Sequence, residues 1–277
     1  RLRRQRQMFI RYRCNTMRAL AKLDADSGYV GKVGTDDVGI FYEDAVRKAS
    51  VTPYFVRTEG ISGCCTVLIS PDGERTMATF LGPAATLEAA EISDETLSKY
   101  DLVYIEGYLI SNEKLFLPIL ERANKLGVKV ALDLSNFNIV KGFNELLHEV
   151  IPQYVHILFS NESEAEAYTG LPASEAVRKI SEEVEISVVT LGKEGALVGS
   201  GNEVIHVPAT GGKPLDTTGA GDNFAAGFLY GQSIGVSLET SAKIGSILAG
   251  HVIDVIGPQI PEEQWQQIKL KIEAILA

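Results

Sequence analysis

The feature that most constrains the fold is a regular alternation of apolar runs and amphipathic segments from Tyr100 onward. The apolar runs have the length of strands buried on both faces, and they lie at 100–107, 128–135, 154–160 and 186–192. Helical patterns separate them, and the one at 112–127 ends at Gly127. This alternation predicts a three-layer α/β/α fold with a mainly parallel sheet. A hairpin is predicted at 196–207, followed by three helical stretches.

The segment 51–86 has a different pattern. It contains three strand-like runs, PYFVRT, GCCTVLIS and RTMATFLG, and a tight turn at 71–73 separates the last two. This pattern predicts an antiparallel meander that forms a small sheet over one end of the core. Because ligands of open α/β sheets bind outside the carboxyl ends of the strands, we expect the small sheet to act as a lid.

Composition excludes several classes of protein. A net charge of −10 argues against binding to nucleic acid, and no segment approaches the ~18 apolar residues of a membrane span. The three cysteines, Cys14, Cys64 and Cys65, are an odd number with an adjacent pair, which is a poor disulfide framework. We expect Cys64 and Cys65 to be strand residues and the protein to be cytoplasmic, as a monomer or a homodimer.

The stretch DTTGAGDNFAAGF at 216–228 is the strongest candidate for chemistry. Gly219, Ala220 and Gly221 let a ligand approach the backbone, and N–H groups at a helix start hold an anion. Asp222 would lie beside that anion, an arrangement that suits phosphoryl transfer, in which an acid accepts the proton of the attacking hydroxyl. The alternative is an acid that stabilises the start of its own helix after a glycine turn.

Two further motifs have a functional and a structural interpretation. In NESE, Asn161 and Glu164 share a face of a helix start, where they could hold Mg²⁺ through waters or form a capping box. TLGKEGA at 190–196 could lie against a nucleotide or be a simple hairpin turn. None of the three Gly-Lys pairs is followed by Ser or Thr, and no G-x-G-x-x-G follows a strand, which excludes a P-loop and a dinucleotide site. The four histidines have no metal-ligand spacing.

Together, DTTGAGD, NESE, TLGKEG and GKVGTDDVG at 31–39 resemble the ribokinase (PfkB-type) family of carbohydrate and nucleoside kinases, from about Asn15 to the C-terminus. The resemblance implies the ribokinase-like fold, ATP and Mg²⁺ as cofactors, and in several members K⁺. It implies that Gly219, Ala220 and Gly221 form the anion hole and that Asp222 is the catalytic base.

The resemblance also implies three sets of binding residues. Nucleotide contacts are implied for Asn161, Thr190, Gly192, Gly195 and His251. Substrate contacts are implied for Asn15 and Tyr108, an indirect Mg²⁺ site for Asn161 and Glu164, and a monovalent cation site for Asp216 and Thr218.

Within the family, the segments 132–170 and 104–110 are most similar to the adenosine kinase branch. The ring of Tyr108 suits a flat nucleobase, although a residue at a strand end can equally belong to the core. The resemblance therefore implies an ATP-dependent kinase for an adenosine-like nucleoside. Two alternatives stay open: a kinase for ribose, fructose or a sugar phosphate, and a catalytically impaired nucleotide-binding protein.

The start of the chain departs from the family pattern. The family usually begins with a strand carrying a substrate-binding Asp, followed by a Gly-Gly motif that ends in Asn, and here only Asn15 and Thr16 match. Residues 1–13 carry six arginines and no acid. We treat 1–14 as an atypical terminus and 15–277 as the kinase domain. We expect the first strand to be missing or replaced, the arginine stretch to be irregularly packed, and acceptor binding to be weak.

Overall fold

The computed structural model describes residues 5–10, 14–69, 75–212 and 214–277. The strands are β1 (Gln7–Ile10), β2 (Ser27–Gly34), β3 (Thr52–Thr58), β4 (Cys64–Ile69), β5 (Arg75–Phe80), β6 (Leu102–Glu106), β7 (Lys129–Asp133), β8 (Ile157–Asn161), β9 (Ile186–Thr190), β10 (Ala196–Ser200) and β11 (Glu203–Val207). The helices are α1 (Asn15–Lys22), α2 (Asp37–Lys48), α3 (Asp94–Leu97), α4 (Phe116–Lys125), α5 (Phe137–Gly142), α6 (Asn144–Tyr154), α7 (Glu162–Thr169), α8 (Ala173–Ser181), α9 (Ala220–Ser233), α10 (Leu238–Val252) and α11 (Trp265–Leu276).

One large sheet organises the fold. Its order is β11-β10-β9-β8-β7-β6-β1-β2-β3, and neighbouring strands from β9 to β3 are parallel. The hairpin β10–β11 adds two antiparallel strands at one edge. Both the parallel sheet and the hairpin predicted from the alternating pattern are confirmed.

Helices cover both faces of this sheet. Within β1, Met8 and Ile10 point into the core beneath α4, α6 and α8, whereas Phe9 points into the core beneath α1, α9 and α10. The neighbouring strand β6 divides in the same way, with Val103 and Ile105 on the first face and Tyr104 on the second. Since alternate side chains of a strand point to opposite faces, one strand contributes to two cores. The three-layer α/β/α prediction is confirmed.

The first strand is present, and the expectation that it would be missing is wrong. Most of the arginine stretch, at 1–4 and 11–13, lies outside the described residues, so the expectation that it is irregularly packed stays a prediction. All four residues of β1 are buried, and they pair in parallel with Ser27–Val30 of β2 and Leu102–Ile105 of β6. The side-chain amide of Gln7 donates to the carbonyl of Leu229 at 2.8 Å, which ties this strand to α9. An apolar run of three residues between arginines is too short to show a periodicity, so this strand could not be predicted from the sequence pattern. The division at residue 14 stays a prediction.

The predicted three-stranded meander is also wrong in part. Strand β3 belongs to the large sheet, where it pairs in parallel with β2. Only β4 and β5 form the small sheet, which is antiparallel and carries Cys64 and Cys65 as exposed strand residues. The predicted turn at 71–73 lies outside the described residues. Beta-branched and aromatic residues favour a strand without specifying its partner, so the pattern alone could not assign β3.

Two smaller observations complete the fold. The predicted helix at 112–127 is shorter, because α4 begins at Phe116 and Gly127 ends it with a left-handed φ of 70°. In the part of the chain that the structure describes, no helix combines the length and apolar character needed to cross a bilayer.

Candidate active site

A cavity of about 620 Å³ lies at the carboxyl ends of the central strands. Four neighbouring strands, β6 to β9, each end on a polar residue that lines it, namely Glu106, Asp133, Asn161 and Thr190. The start of α9 closes another side with Thr217, Gly219, Ala220, Gly221, Asp222 and Phe224. Apolar and hydroxyl side chains complete the lining with Thr79, Leu81, Tyr108, Ser111, Ser135, Ile139, Phe159 and Ser160. The small sheet thus reaches the cavity through β5.

The glycine turn before α9 has the geometry that an anion site requires. Gly219 is the N-cap of α9 with φ 79°, and a Cβ there would stand 2.8 Å from Cβ of Pro258. At Gly221, by contrast, an added Cβ would meet nothing within 4 Å. The N–H groups of this first turn have no carbonyl partner within the helix. That of Ala220 donates to the carbonyl of Thr217, just before the helix, at 3.2 Å, and the space beside Gly221 lets an anion approach the turn.

Asp222 lies in the first turn of α9, and residues from α1 hold its carboxylate. The amide of Asn15 donates to Oδ2 of Asp222 at 2.8 Å, and the hydroxyl of Thr16 donates to Oδ1 at 3.4 Å. Thr16 is fully buried, so the contact at Oδ1 is shielded from water. These bonds join the first helix of the chain to the ninth and fix the direction in which the carboxylate faces the cavity.

Asn161 and Glu164 form the capping box at the start of α7. The side chain of Asn161 accepts from the Glu164 backbone N–H at 2.9 Å, and Oε2 of Glu164 accepts from the Asn161 backbone N–H at 2.9 Å. Glu164 is only 5% exposed. Burial, assisted by the negative charge of Asp133, raises the pKa of Glu164 to about 7. The capping interpretation is confirmed, and the carboxyl faces the cavity as well.

Asp133 and Glu106 are cavity residues that we did not single out in the sequence. The hydroxyl of Tyr104 donates to Oδ2 of Asp133 at 2.7 Å, and the backbone N–H of Ser135 donates to Oδ1 at 2.7 Å. Ser135 has a left-handed φ of 64°, and its hydroxyl accepts from the N–H of Gly107 at 3.0 Å. The sequence contained a signal for these two residues, since each acid ends an apolar strand on the ligand-binding edge of a parallel sheet.

The comparison with known proteins agrees with this geometry. Residues 13–265 match the pfkB family carbohydrate kinases, which is well over half of the chain. The chain belongs to the pfkB family of carbohydrate kinases. Kinases of this family are phosphotransferases that act on sugar or nucleoside hydroxyls, so the predicted enzyme class, with an alcohol as phosphate acceptor, is confirmed.

Relatives of this pfkB-family chain include both sugar and nucleoside kinases. It is 30% identical over 240 residues to an uncharacterized sugar kinase of Archaeoglobus fulgidus, covering 86% of this chain and 95% of that one. It is 28% identical over 270 residues to an adenosine kinase of Schizophyllum commune, covering 87% and 76%. The adenosine kinase structure from Sinorhizobium meliloti is similar with a TM-score of 0.86 at 30% identity, covering 94% of this chain and 82% of that one.

In this pfkB-family fold, eight of the predicted site residues line the cavity: Tyr108, Asn161, Glu164, Thr190, Gly219, Ala220, Gly221 and Asp222. Asn15 reaches it through its bond to Asp222. Gly192 and Gly195 lie in the turn after β9, outside the lining, and a Cβ at Gly195 would stand 2.0 Å from the carbonyl oxygen of Val207. Close packing on β11 therefore gives Gly195 a structural reason to be glycine.

Three other predicted residues lie beyond the cavity lining. His251, near the end of α10, has its ring nitrogens 3.0 Å from Oε1 of Gln264 and 2.9 Å from Nζ of Lys271. The carboxylate of Asp216 accepts from the backbone N–H and the hydroxyl of Thr218 and from the N–H of Gly257, at 2.7–2.9 Å. Asp216 therefore joins the turn before α9 to the loop after α10.

Proposed function

We propose that this chain transfers the γ-phosphate of ATP to a hydroxyl of an adenosine-like nucleoside. The observation that carries the proposal is the position of Asp222 in the first turn of α9, within one cavity that also contains the glycine turn, Glu164 and Tyr108. A base, an anion-binding backbone and an aromatic ring then face one volume of about 620 Å³, within the usual size range of a small-molecule site.

In the proposed reaction, the acceptor hydroxyl lies between Asp222 and the γ-phosphate. The hydroxyl oxygen bonds to the γ-phosphorus as the bond from that phosphorus to the bridging oxygen breaks, and ADP leaves. The hydroxyl proton passes to the carboxylate of Asp222. Asn15 and Thr16 fix the orientation of this carboxylate. The group that accepts the proton is therefore positioned before the nucleoside binds.

Charge that develops on the transferred phosphoryl group is stabilised by the first turn of α9. The backbone N–H groups at Ala220 and Gly221 lie at the positive end of the helix dipole, and the open space beside Gly221 permits close approach. Thr190 and the turn around Gly192 extend the phosphate side of the cavity toward the nucleotide, and we include Gly195 and His251 as its outer contacts.

The carboxyl group of Glu164 and the amide of Asn161 fit an indirect Mg²⁺ site. Glu164 is buried yet faces the cavity, and its raised pKa of about 7 shows a carboxylate that would gain from a nearby cation. In the described residues, no group of three or more His, Cys, Asp or Glu side chains could enclose a metal directly, which agrees with binding through waters. Bound Mg²⁺ would neutralise charge on the phosphates.

The loop around Asp216 is the proposed monovalent cation site. Its carboxylate oxygens already accept three hydrogen bonds, so the loop is held in one shape next to the glycine turn. A K⁺ ion beside Asp216 and Thr218 would complete that side of the anion hole. Exchange of K⁺ for Li⁺ at constant ionic strength should lower turnover.

The acceptor end of the cavity favours a nucleoside. Tyr108 is 41% exposed and lines the cavity with Ile139, Phe159 and Leu81, so flat apolar surface is available for a base. The hydroxyls Ser111 and Ser135 and the carboxyl of Asp133 lie in the same lining and suit a ribose. The sugar kinase relative keeps a sugar acceptor as the competing candidate.

A substrate panel tests the proposal. We would measure transfer from γ-labelled ATP with Mg²⁺ to adenosine, ribose, fructose and fructose 6-phosphate, and compare kcat/KM. We expect kcat/KM for adenosine to exceed that for each sugar by at least about tenfold, a difference that one good set of contacts to the base supplies. A higher kcat/KM for a sugar would replace the nucleoside assignment, and transfer to none of them would favour a catalytically impaired nucleotide-binding protein.

A further inference from the structure

A second cavity, of about 510 Å³, is lined by Asn15, which bonds Asp222, and by Asn223, the residue after Asp222 in α9. Residues of α1, the end of α2, the loop 258–262 and the start of α11 line it. Its size suits a small molecule rather than a single water cluster. Of the residues that line it, the proposed kinase reaction uses Asn15 alone.

The charges in this cavity are the opposite of those of the whole chain. The protein has 36 acidic and 26 basic residues, yet the described lining contains Arg18, Lys22 and Lys48 against one acid, Glu262. Lys22 forms an ion pair with Glu262. Among the described residues, no ion pair or side-chain hydrogen bond occupies the guanidinium of Arg18 or the ammonium of Lys48. Two cations in one concave site attract an anion, and the planar guanidinium group of Arg18 can donate two hydrogen bonds to phosphate oxygens.

The rest of the lining suits a compact phosphate ester. The amide of Asn15 supplies a polar contact, while Ala19, Ala45 and Trp265 give an apolar floor. Trp265 is 6% exposed. An inorganic ion alone would leave most of this space unfilled, whereas a phosphate carrying a few carbon atoms would occupy it.

The two cavities share the residues that lie between them. Asn15 lines the second cavity and donates to Asp222, which lines the first. Asn223 likewise lines the second cavity, and its amide donates to the carbonyl of Gly219 at 2.9 Å. The Asn223 amide also donates to the carbonyl of Pro258 at 3.3 Å, so it holds the wall between the cavities together. A ligand that bonded the amide of Asn15 would therefore affect the orientation of Asp222.

We propose that the second cavity is a binding site for a small phosphate-bearing anion, held by Arg18 and Lys48, in contact with the residues that position Asp222. This site is separate from the proposed kinase reaction and does not require it. Free phosphate and a phosphate monoester share the recognised group, so both must be tested.

The chain offers a specific reporter, because Trp265 is its single tryptophan and lies in this cavity. We would titrate the folded chain with inorganic phosphate and with glycerol 3-phosphate at constant ionic strength and follow tryptophan fluorescence. The test variant is Arg18→Gln/Lys48→Gln. The matched control is Lys125→Gln/Arg178→Gln, which removes two exposed cations from α4 and α8 on the opposite face of the sheet.

The proposal expects a saturable fluorescence change with a dissociation constant of about 1 mM or tighter for at least one of the two compounds. The test variant should bind at least about tenfold more weakly, since each lost charge-assisted hydrogen bond is strong. The control should bind like the parent. The compound that binds more tightly identifies the source of the phosphate group.

Three results would overturn the proposal. They are the lack of a saturable fluorescence change, an equal loss of phosphate affinity in the test and control variants, and an equal phosphate affinity of the test variant and the parent. Repeating the titration with saturating AMP-PNP and Mg²⁺ separates the two cavities. Persistence of the change supports the second site, and its abolition would place the phosphate in the first cavity. Far-UV circular dichroism confirms that each variant is folded. A chain that fails to bind AMP-PNP would contradict the proposed kinase function and leave the phosphate titration interpretable.

Discussion

The phosphate side of the first cavity and the small sheet beside it are built very differently. Asn161 ends β8 and begins α7, and the other four residues of that strand are buried, Leu158 fully. Gly219 begins α9, whose residues Ala226 and Phe228 are fully buried. The small sheet has two strands, and Leu68 and Phe80 on it are 60% and 54% exposed. A pair of strands on its own is marginally stable. From this difference we predict that the groups proposed to bind phosphate are preformed, whereas the small-sheet side of the cavity is completed when ligand binds.

The largest expected effect concerns Asp222. The Asp222→Asn variant should keep the fold and bind AMP-PNP, and lose turnover by roughly 10²-fold or more, the usual contribution of a general base. Asp37→Asn is the matched control, because Asp37 is also an acid in the first turn of a helix but lies outside the cavity. Steady-state kinetics on both variants decides between a base and a helix-stabilising acid. Comparable turnover of Asp222→Asn and the parent would refute the assignment.

The contrast in burial should appear directly in stability. Leu158→Ala should lower the free energy of unfolding by about 2–5 kcal/mol, as expected for a cavity in a packed core. Leu68→Ala should change it by less than about 0.5 kcal/mol, because the side chain is exposed. Urea unfolding measures both values. A large loss for Leu68→Ala would show that the small sheet is packed in the free protein, against the proposed contrast.

Two glycines of one turn give a sharper test of preformed geometry. Gly219→Ala should destabilise the chain by about 1–3 kcal/mol, because φ is 79° and the new Cβ would stand 2.8 Å from Pro258. Gly221→Ala should leave stability within about 0.5 kcal/mol or improve it, since the site is helical and open. Thermal unfolding compares the pair. Equal effects would mean that the turn adopts another conformation in solution.

The smallest effect is the pH dependence that Glu164 contributes. Its folded pKa of about 7 exceeds the ordinary 4.5, because burial and Asp133 disfavour the charge. The folded state therefore holds a proton that the unfolded state has lost, so this contribution is complete below pH 4.5 and is lost as the pH rises to about 7. Between pH 5 and 7.5 the parent should lose stability, on the order of 1–2 kcal/mol, relative to Glu164→Gln.

Urea unfolding at both pH values measures that difference. The glutamine keeps one oxygen that can accept from the Asn161 backbone N–H and loses the bond from the Asn161 side-chain amide, a loss that does not depend on pH. If the free energy of unfolding changed with pH in the same way for the parent and for Glu164→Gln, the assigned pKa would be contradicted. In a turnover assay, the same variant should need more Mg²⁺. An unchanged metal requirement together with a lower melting temperature would leave Glu164 with its capping role alone.

The sequence predicted the alternating part of the fold well. Strands β6 to β9 have five residues each, of which three or four are apolar, and helical patterns separate them, so local signals and tertiary structure agree there. It failed at β1 and at the partner of β3. β1 has four residues between arginines, and its strand character comes from pairing with β2 and β6 rather than from any local pattern.

The candidate site was predictable where a motif carries its own geometry. DTTGAGD and NESE each combine a helix start with a side chain that must face the ligand, so Asp222 and Glu164 could be named in advance. The contacts that hold the two carboxylates could not be predicted, because they join residues far apart in the chain: Tyr104 bonds Asp133, 29 residues away, and Thr16 bonds Asp222, 206 residues away. The second cavity was likewise invisible, since α1, α2 and α11 meet there only in the fold.

Isothermal titration of the free chain with AMP-PNP and Mg²⁺, and separately with adenosine, tests the central claim most directly. A preformed phosphate side predicts that one AMP-PNP binds per chain without an acceptor, at least about tenfold more tightly than adenosine alone, a difference of about 1.4 kcal/mol. Tight binding of adenosine with no binding of AMP-PNP would contradict the claim, because the acceptor side would then be the preformed one.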